Sequence, residues 1–414
     1  MVRVSSNRAA LASSLLLSLG AAGAVNHTLS YLPFSWDTIP RYTFCSNSSA
    51  DYMSEGYGSL GLYDAASLSY IAKQDIMLYG TAEHRAPGAL AYLDDFAPVQ
   101  AKALRAINPK QQQWFYYAID LVRPHDFASD GDIELNHTEC LLHDDAGELM
   151  TRTVWDFGNP CGVEHWLDTS RNLITKGGLD GIFIDGFQGC NPFVGAGCHR
   201  VCKSKNSTCS AAKMKAWNDG LVKALWTLKR DILGKNGTLI CNYTPGPFAC
   251  DPTKPVSECP CDGTNDERGG GNFQHMQIIK KIEDTQDDYA MLTHVPHGNN
   301  DAVLLRSITG FLLGVTRYQY HGAGFDYDCS GGGWFGRGKE VEHAYGAPLG
   351  APLGDALATG AVMTRKFATG TKVFLNSTAK YPLGCLVWSD GHSTETGGAG
   401  GCAQAAAWPW AEWQ

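Results

Sequence analysis

Short apolar runs alternate along this 414-residue chain with longer stretches whose apolar positions recur at helical spacing. Residues 39–45, 76–79, 114–122, 179–185, 238–243, 289–295 and 316–321 read as strands, and 372–375 as an eighth. Between them, 65–73, 88–107, 163–176, 214–233, 273–283, 302–313 and 355–367 read as helices, with Pro98 expected to kink or divide the second. About eight strand–helix alternations over this length predict an α/β fold, a closed (β/α)8 TIM-type barrel with long loops after its strands. An open doubly wound sheet is the runner-up, but the glycine-rich phosphate-binding turn after a first strand is missing.

The run Gly178-Leu179-Asp180-Gly181-Ile182-Phe183-Ile184-Asp185-Gly186-Phe187 is the centre of this pattern. Strand alternation turns Gly181, Phe183 and Asp185 to one face and Ile182 and Ile184 to the other. If the isoleucines meet the helices, Asp185 emerges from the interior at the strand's C-terminal end, where such folds bind ligands. Asp180 has the opposite parity and lies at the strand's start, so it is assigned a structural role. In 114–122 the inward set is Tyr116, Ala118 and Asp120, which brings Asp120 to the same mouth on a neighbouring strand, or leaves it to pair with Arg123.

Charge narrows the ligand class. The net charge is −9 with no long Lys/Arg cluster, which argues against nucleic acid and for a neutral or weakly charged ligand. Residues 1–24 read as a secretory signal peptide, with Arg3 and Arg8 before an apolar stretch and Ala22-Gly23-Ala24 as a cleavage site. Residues 25–376 are then the barrel and 377–414 a C-terminal extension that adds a strand. Fourteen Cys and seven Asn-x-Ser/Thr sequons, at Asn26, Asn47, Asn136, Asn206, Asn236, Asn242 and Asn376, agree with an oxidising secretory route. No stable membrane insertion is expected once the leader is removed. Disulfides rather than metal are expected for the Cys-rich loops around Cys190–Cys209 and Cys250–Cys261, and Cys385 with Cys402 is a candidate local bridge.

The segment 262–268, read as a loop after the fifth strand, places Glu267 across the mouth from Asp185, whereas Asp266 reads as a solvated turn residue. Two opposed carboxylates suit glycosidic cleavage: one protonates the departing oxygen while the other attacks, activates water or stabilises the cationic carbon. Trp36, Trp155, Tyr243 and Tyr320, with Asn242, His294 and His321, are the candidate lining of a sugar cleft, because sugars offer both apolar C–H faces and hydroxyls. No cofactor and no metal are expected.

The stretch Val154-Trp155-Asp156-Phe157-Gly158-Asn159-Pro160, then Trp166, then Leu179 to Gly186, resembles a pattern of barrel glycoside hydrolases. Residues 345–354 and Arg365-Lys366-Phe367 with Gly370 and Val373 resemble the closing part of the hypothetical glycosyl hydrolase families. The resemblance spans roughly residues 39–376. It implies a catalytic carboxylate at the end of the fourth strand, which maps to Asp185, and a second acid from a later loop. Glu267 matches best for that acid, with Asp326 and Asp328 as substitutes. The expected protein is a secreted glycosidase; the alternative is a non-catalytic carbohydrate-binding barrel.

Overall fold

The computed structural model describes residues 29–45, 62–63, 65–80, 92–124, 126–150, 153–187, 201–202, 209–242, 250, 256–266, 280, 288–294, 300–322, 338–378 and 382–410. Its centre is an eight-stranded parallel sheet in sequential order: β1 (Tyr42–Cys45), β2 (Ile76–Tyr79), β3 (Gln112–Ala118), β4 (Gly181–Asp185), β5 (Thr238–Cys241), β6 (Gly263–Asp266), β7 (Ala290–His294) and β8 (Gln319–Gly322). The sheet comes round on itself where Arg41 bridges His321 and the His321 amide donates to the Pro40 carbonyl at 2.9 Å. This is the (β/α)8 barrel that the alternation predicts.

Helices α1 (Ala65–Ile71), α2 (Leu93–Ile107), α3 (Ala128–Asn136), α4 (Pro160–Arg171), α5 (Ala211–Thr227), α6 (Asp301–Gly314) and α7 (Lys339–Gly346) accompany it. Their starts are legible locally. The Asn159 side chain caps α4 by accepting from the Cys161 amide, with Pro160 at the first helical position, and Asn300 accepts from the Ala302 and Val303 amides at the start of α6. In α2, Leu93, Phe96, Ala97, Gln100, Ala101 and Leu104 form the buried stripe. The helix runs unbroken through Pro98 rather than dividing there, because the proline lies near its N-terminus and removes a single intrahelical bond. Both α4 and α5 continue into π-helical turns, Asn172–Lys176 and Leu228–Leu233.

Two features differ from the sequence pattern. Residues 263–266 form a strand, not a loop, although Gly-Thr-Asn-Asp has no apolar member. Its ladder is completed by β5 on one side and β7 on the other, so pairing rather than an apolar pattern makes it a strand, and all four residues are buried. The eighth barrel strand is therefore Gln319–Gly322. The expected helix over 355–367 and strand over 372–375 belong instead to a second, antiparallel sheet whose five strands pair in sequence order. Its strands are β9 (Leu357–Thr359), β10 (Val362–Lys366), β11 (Lys372–Asn376), β12 (Leu383–Val387) and β13 (Ser393–Gly397), followed by α8 (Gly401–Ala407). Arg365 of β10 joins this sheet to the barrel: its guanidinium donates to the Leu312, Leu313 and Val315 carbonyls at the end of α6, at 2.8 to 3.3 Å. Burial lowers its pKa to about 10, opposed by the Asp355 charge.

The barrel interior is filled by Tyr42, Phe44, Ile76, Leu78, Trp114, Tyr116, Ala118, Phe183, Ile240, Ala290, Leu292 and Tyr320. The chain before β1 enters this interior from the N-terminal end of the strands. Leu29 and Leu32 join the apolar cluster, the Leu29 amide donates to Asp288 at 3.0 Å, and the Tyr31 hydroxyl reaches the Gly237 carbonyl at 3.3 Å. That end is therefore closed, and any chemistry has to use the other.

Among the described residues, disulfides join Cys140–Cys161, Cys202–Cys209, Cys241–Cys261, Cys250–Cys259 and Cys385–Cys402. Cys45 is bridged as well, and no described cysteine is free. The expected Cys385–Cys402 pair is present, and Cys250, Cys259 and Cys261 are spent on bridges rather than on a metal. No described helix is long and apolar enough to cross a membrane.

Candidate active site

Asp185 is the last residue of β4 and its carboxylate is half-buried at the C-terminal end of the barrel. Alternation along β4 has the predicted sense: Ile182 and Ile184 pack in the outer cluster with the helices, while Phe183 lies in the barrel interior. Both carboxylate oxygens are held by neutral donors. The Tyr116 hydroxyl donates to Oδ2 at 2.7 Å and the Asn242 side-chain amide to Oδ1 at 3.0 Å.

Tyr116 is itself oriented. Arg123 Nη2 donates to the Tyr116 hydroxyl oxygen at 3.3 Å, and the guanidinium carbon lies 4.9 Å from the ring centroid. That leaves the hydroxyl proton for Asp185. Burial first, then the Asp185 charge, holds the Tyr116 phenol well above its ordinary pKa, so it remains a donor. Burial works against the Arg123 charge, but Tyr116, Asp126 and Asp185 outweigh it and raise its pKa above the usual arginine value. Arg123 also donates to Asp126 at 2.9 Å.

Gly186 follows with φ of 100°, and a Cβ built there would stand 2.5 Å from Asp120 Oδ1. Both the left-handed backbone and the contact require glycine. Asp120 thus packs against the turn immediately after Asp185, and the structure brings these two candidates to the same end of the barrel. Asp180, at the other end of β4, accepts from Arg105 at 2.7 Å and from the Gln113 amide at 2.9 Å, a structural tie.

Asn242, fully buried after β5, and Asn265, inward on β6, extend the row begun by Asp185. Asn265 Nδ2 donates to Asn242 Oδ1 at 3.4 Å. Asn265 and Tyr116 are the members of this cluster that sequence reasoning missed. Tyr116 was legible from its parity with Asp120, but Asn265 was hidden by the reading of β6 as a loop. Asp266 ends β6 and is buried, not a solvated turn residue. By alternation it faces outward with Thr264, as its register partner Thr293 does.

The remaining candidates are scattered. Glu267 and Tyr243 lie outside the described residues, as do Asp326 and Asp328. His294 closes β7, in register with Gly322. Trp155 is not at the mouth: it is fully buried in the outer cluster, where it bridges Leu141 and its carbonyl accepts from Trp217 Nε1 at 2.7 Å. His321 points outward and is enclosed between Ser307 and Tyr345, at 2.7 and 2.8 Å. Tyr320 does face inward, but its hydroxyl reaches the Pro33 carbonyl at 3.3 Å in the N-terminal plug. Trp36 packs edge-on against Phe34 of the same plug, with ring centroids 4.9 Å apart. Barrel stagger explains the miss for Tyr320: a row of register partners descends the axis as it passes round the strands, so a late-strand residue need not lie at the mouth.

A parallel βα-barrel with one end stoppered and an oriented aspartate at the C-terminal end of its fourth strand has its chemistry-bearing group at the face where enzymes of this fold carry their active sites. The model of the Hypothetical glycosyl hydrolase family 15 matches residues 105–371, and the chain belongs to that family. Membership makes it a glycosidase by class. No curated protein matches the chain in sequence. Solved structures similar to it include a noncanonic maltogenic alpha-amylase from Thermotoga neapolitana, at 11% identity and TM-score 0.42, covering 84% of this chain and 86% of that one. An alpha-galactosidase from Lactobacillus brevis matches at 10% identity and TM-score 0.46, covering 86% of this chain and 47% of that one.

Proposed function

We propose that the protein is a secreted glycoside hydrolase that cleaves O-glycosidic bonds of a poly- or oligosaccharide, with Asp185 as nucleophile or general base and Glu267 as general acid. The observation that carries this reading is the setting of Asp185: an accessible carboxylate at the barrel mouth whose two oxygens are oriented by neutral donors, with neither bonded to a cation among the described residues. A carboxylate so held has its direction fixed and carries no bonded cation to neutralise it, as attack on the sugar's cationic carbon or activation of a water requires. Asp120, beside Gly186, adds negative charge at the same edge.

The assignment of Glu267, which lies outside the described residues, rests on its place directly after β6 in the sequence and on the resemblance to barrel glycoside hydrolases. Five disulfides among the described residues support an oxidising destination. Asn136 and Asn236 are exposed and suit glycan attachment, whereas Asn242 is fully buried against Asp185 and does not. Peptide mapping of the secreted protein is expected to find glycans at the first two sites and none at Asn242.

The test is reducing-sugar release over a panel of plant, algal and microbial polysaccharides, comparing wild type with Asp185→Asn. Release by wild type, reduced on the order of 10³-fold in a folded Asp185→Asn protein, is the expected result. Equal release by both proteins removes Asp185 from the mechanism. Binding of a glycan without any release makes the barrel a carbohydrate-binding protein.

A further inference from the structure

The row across β4, β5 and β6 contains a second carboxamide that touches Asp185 only through the first. Asn242 donates one side of its amide to Asp185 Oδ1 at 3.0 Å and presents the other side, Oδ1, to Asn265 Nδ2 at 3.4 Å. A carboxamide has two orientations of nearly equal shape and opposite polarity. Were the Asn242 amide turned over, its oxygen would face the Asp185 carboxylate and repel it. The backbone holds Asn242 in place, since its amide donates to the Ile184 carbonyl at 2.7 Å, but it does not choose the orientation of the side chain.

We propose that Asn265 is a positioning residue that locks the Asn242 side chain in the orientation that donates to Asp185, and so aims the Asp185 carboxylate for reaction. Asn265 is 2% exposed, and its own Oδ1 has no hydrogen-bond partner among the described residues. Leaving a buried carbonyl unsatisfied costs free energy. A leucine would fill this interior position without that cost, as Leu292 does in the register partner on β7. The amide is thus a poor choice for packing alone, and the use it makes of its polarity is the bond to Asn242.

The inference extends the glycosidase reading, and its test has one readout that needs no turnover. Carbodiimide labelling of Asp185, followed by mass spectrometry across pH, reports when the carboxyl carries its proton. Losing a donor to the ionised form moves that midpoint upward. Asn265→Leu is expected to raise the labelling midpoint by about half a pH unit or more, and to lower kcat roughly tenfold with KM changed less than about twofold. In an Asn242→Ala background the same substitution is expected to do nothing further, because the group it acts through is gone.

Equal effects in the two backgrounds, or no shift with Asn242 present, overturn the proposal. If Asn265→Leu does not fold, Asn265→Asp takes its place. Its added charge acts in both backgrounds, and the excess shift seen only with Asn242 present measures the relay; no excess overturns it. A background-dependent labelling shift in a protein that hydrolyses no glycan supports the relay and defeats the glycosidase reading. Hydrolysis with no background dependence does the reverse.

Discussion

Strand β4 carries an aspartate at each end, and the two are held in opposite ways. At its start Asp180 takes a guanidinium, Arg105, and a backbone amide. At its end Asp185 takes a phenol and a carboxamide. The barrel repeats the first of these settings at its closed end, while the mouth also holds an ion pair, Arg123–Asp126, beside Tyr116. The N-terminal end is closed by the plug of residues 29–36 and by ion pairs, of which Lys229–Asp262 is the most buried, with Lys229 also donating to the Gly237 carbonyl and Asp262 accepting from the Leu239 amide. Pairing with a cation neutralises a carboxylate and ties elements together. Neutral donors fix its direction and leave its charge available, which is what an open mouth can use.

The closed end depends most on Lys229. Lys229→Met strips a buried carboxylate of its counter-ion and is expected to cost about 3–5 kcal/mol, read as a lower urea midpoint, with activity per folded molecule unchanged. A loss under about 1 kcal/mol would mean that the closed end does not depend on its ion pair.

A buried carboxylate bonded to no cation among the described residues extends the contrast. Asp130 accepts from the Tyr117 hydroxyl and the Arg123 amide, yet burial, aided by Asp126 and Asp94, pushes its pKa up to about 8. In the unfolded chain it releases its proton near pH 4, so between these values the folded state binds more protons. Its stabilising contribution is therefore full below about pH 4 and declines as pH rises towards 8, by up to about 1.4 kcal/mol per pH unit. Thermal melts from pH 5 to 8 are expected to show that decline in wild type and to lose it in Asp130→Asn.

At the open end, Tyr116→Phe removes one donor to Asp185 while keeping the ring that stacks in the barrel. We expect kcat/KM to fall about 10- to 100-fold, with stability altered by less than about 1.5 kcal/mol. A large stability loss with unchanged kinetics would assign Tyr116 to the closed end's kind of role. Smallest of all, Asp180→Asn loses a partly exposed pair and is expected to cost about 1 kcal/mol or less, with kinetics unchanged.

Much of the site was legible in strand parity. The alternation Phe183 in, Ile184 out, Asp185 in needs only the period of a strand, and it placed Asp185, Asp120 and the structural Asp180 at their observed ends. Parity does not report height in a barrel, so it does not place Tyr320, whose hydroxyl reaches the plug at the other end, and Trp36 precedes the first strand and has no parity to read. Nor does a polar strand announce itself. Residues 263–266 show no apolar period, so the pattern gives Asn265 no direction, makes Asp266 a solvated turn residue and completes the strand count from the second sheet.

The sequence by itself determined the alternation of strands and helices, the inward sense of Asp185 and the use of cysteines 250, 259, 261, 385 and 402 in bridges. These follow from local period and from redox chemistry. Only the tertiary structure decided that Gly263–Asp266 is a strand, that residues 29–36 close one end, that Trp155 and His321 are enclosed in the outer layer, and that Tyr116, Asn242 and Asn265 converge on one carboxylate. These outcomes depend on which strand lies beside which and on how far the closed sheet is staggered. Those quantities are set by the packing of the whole barrel and leave no trace in any single segment.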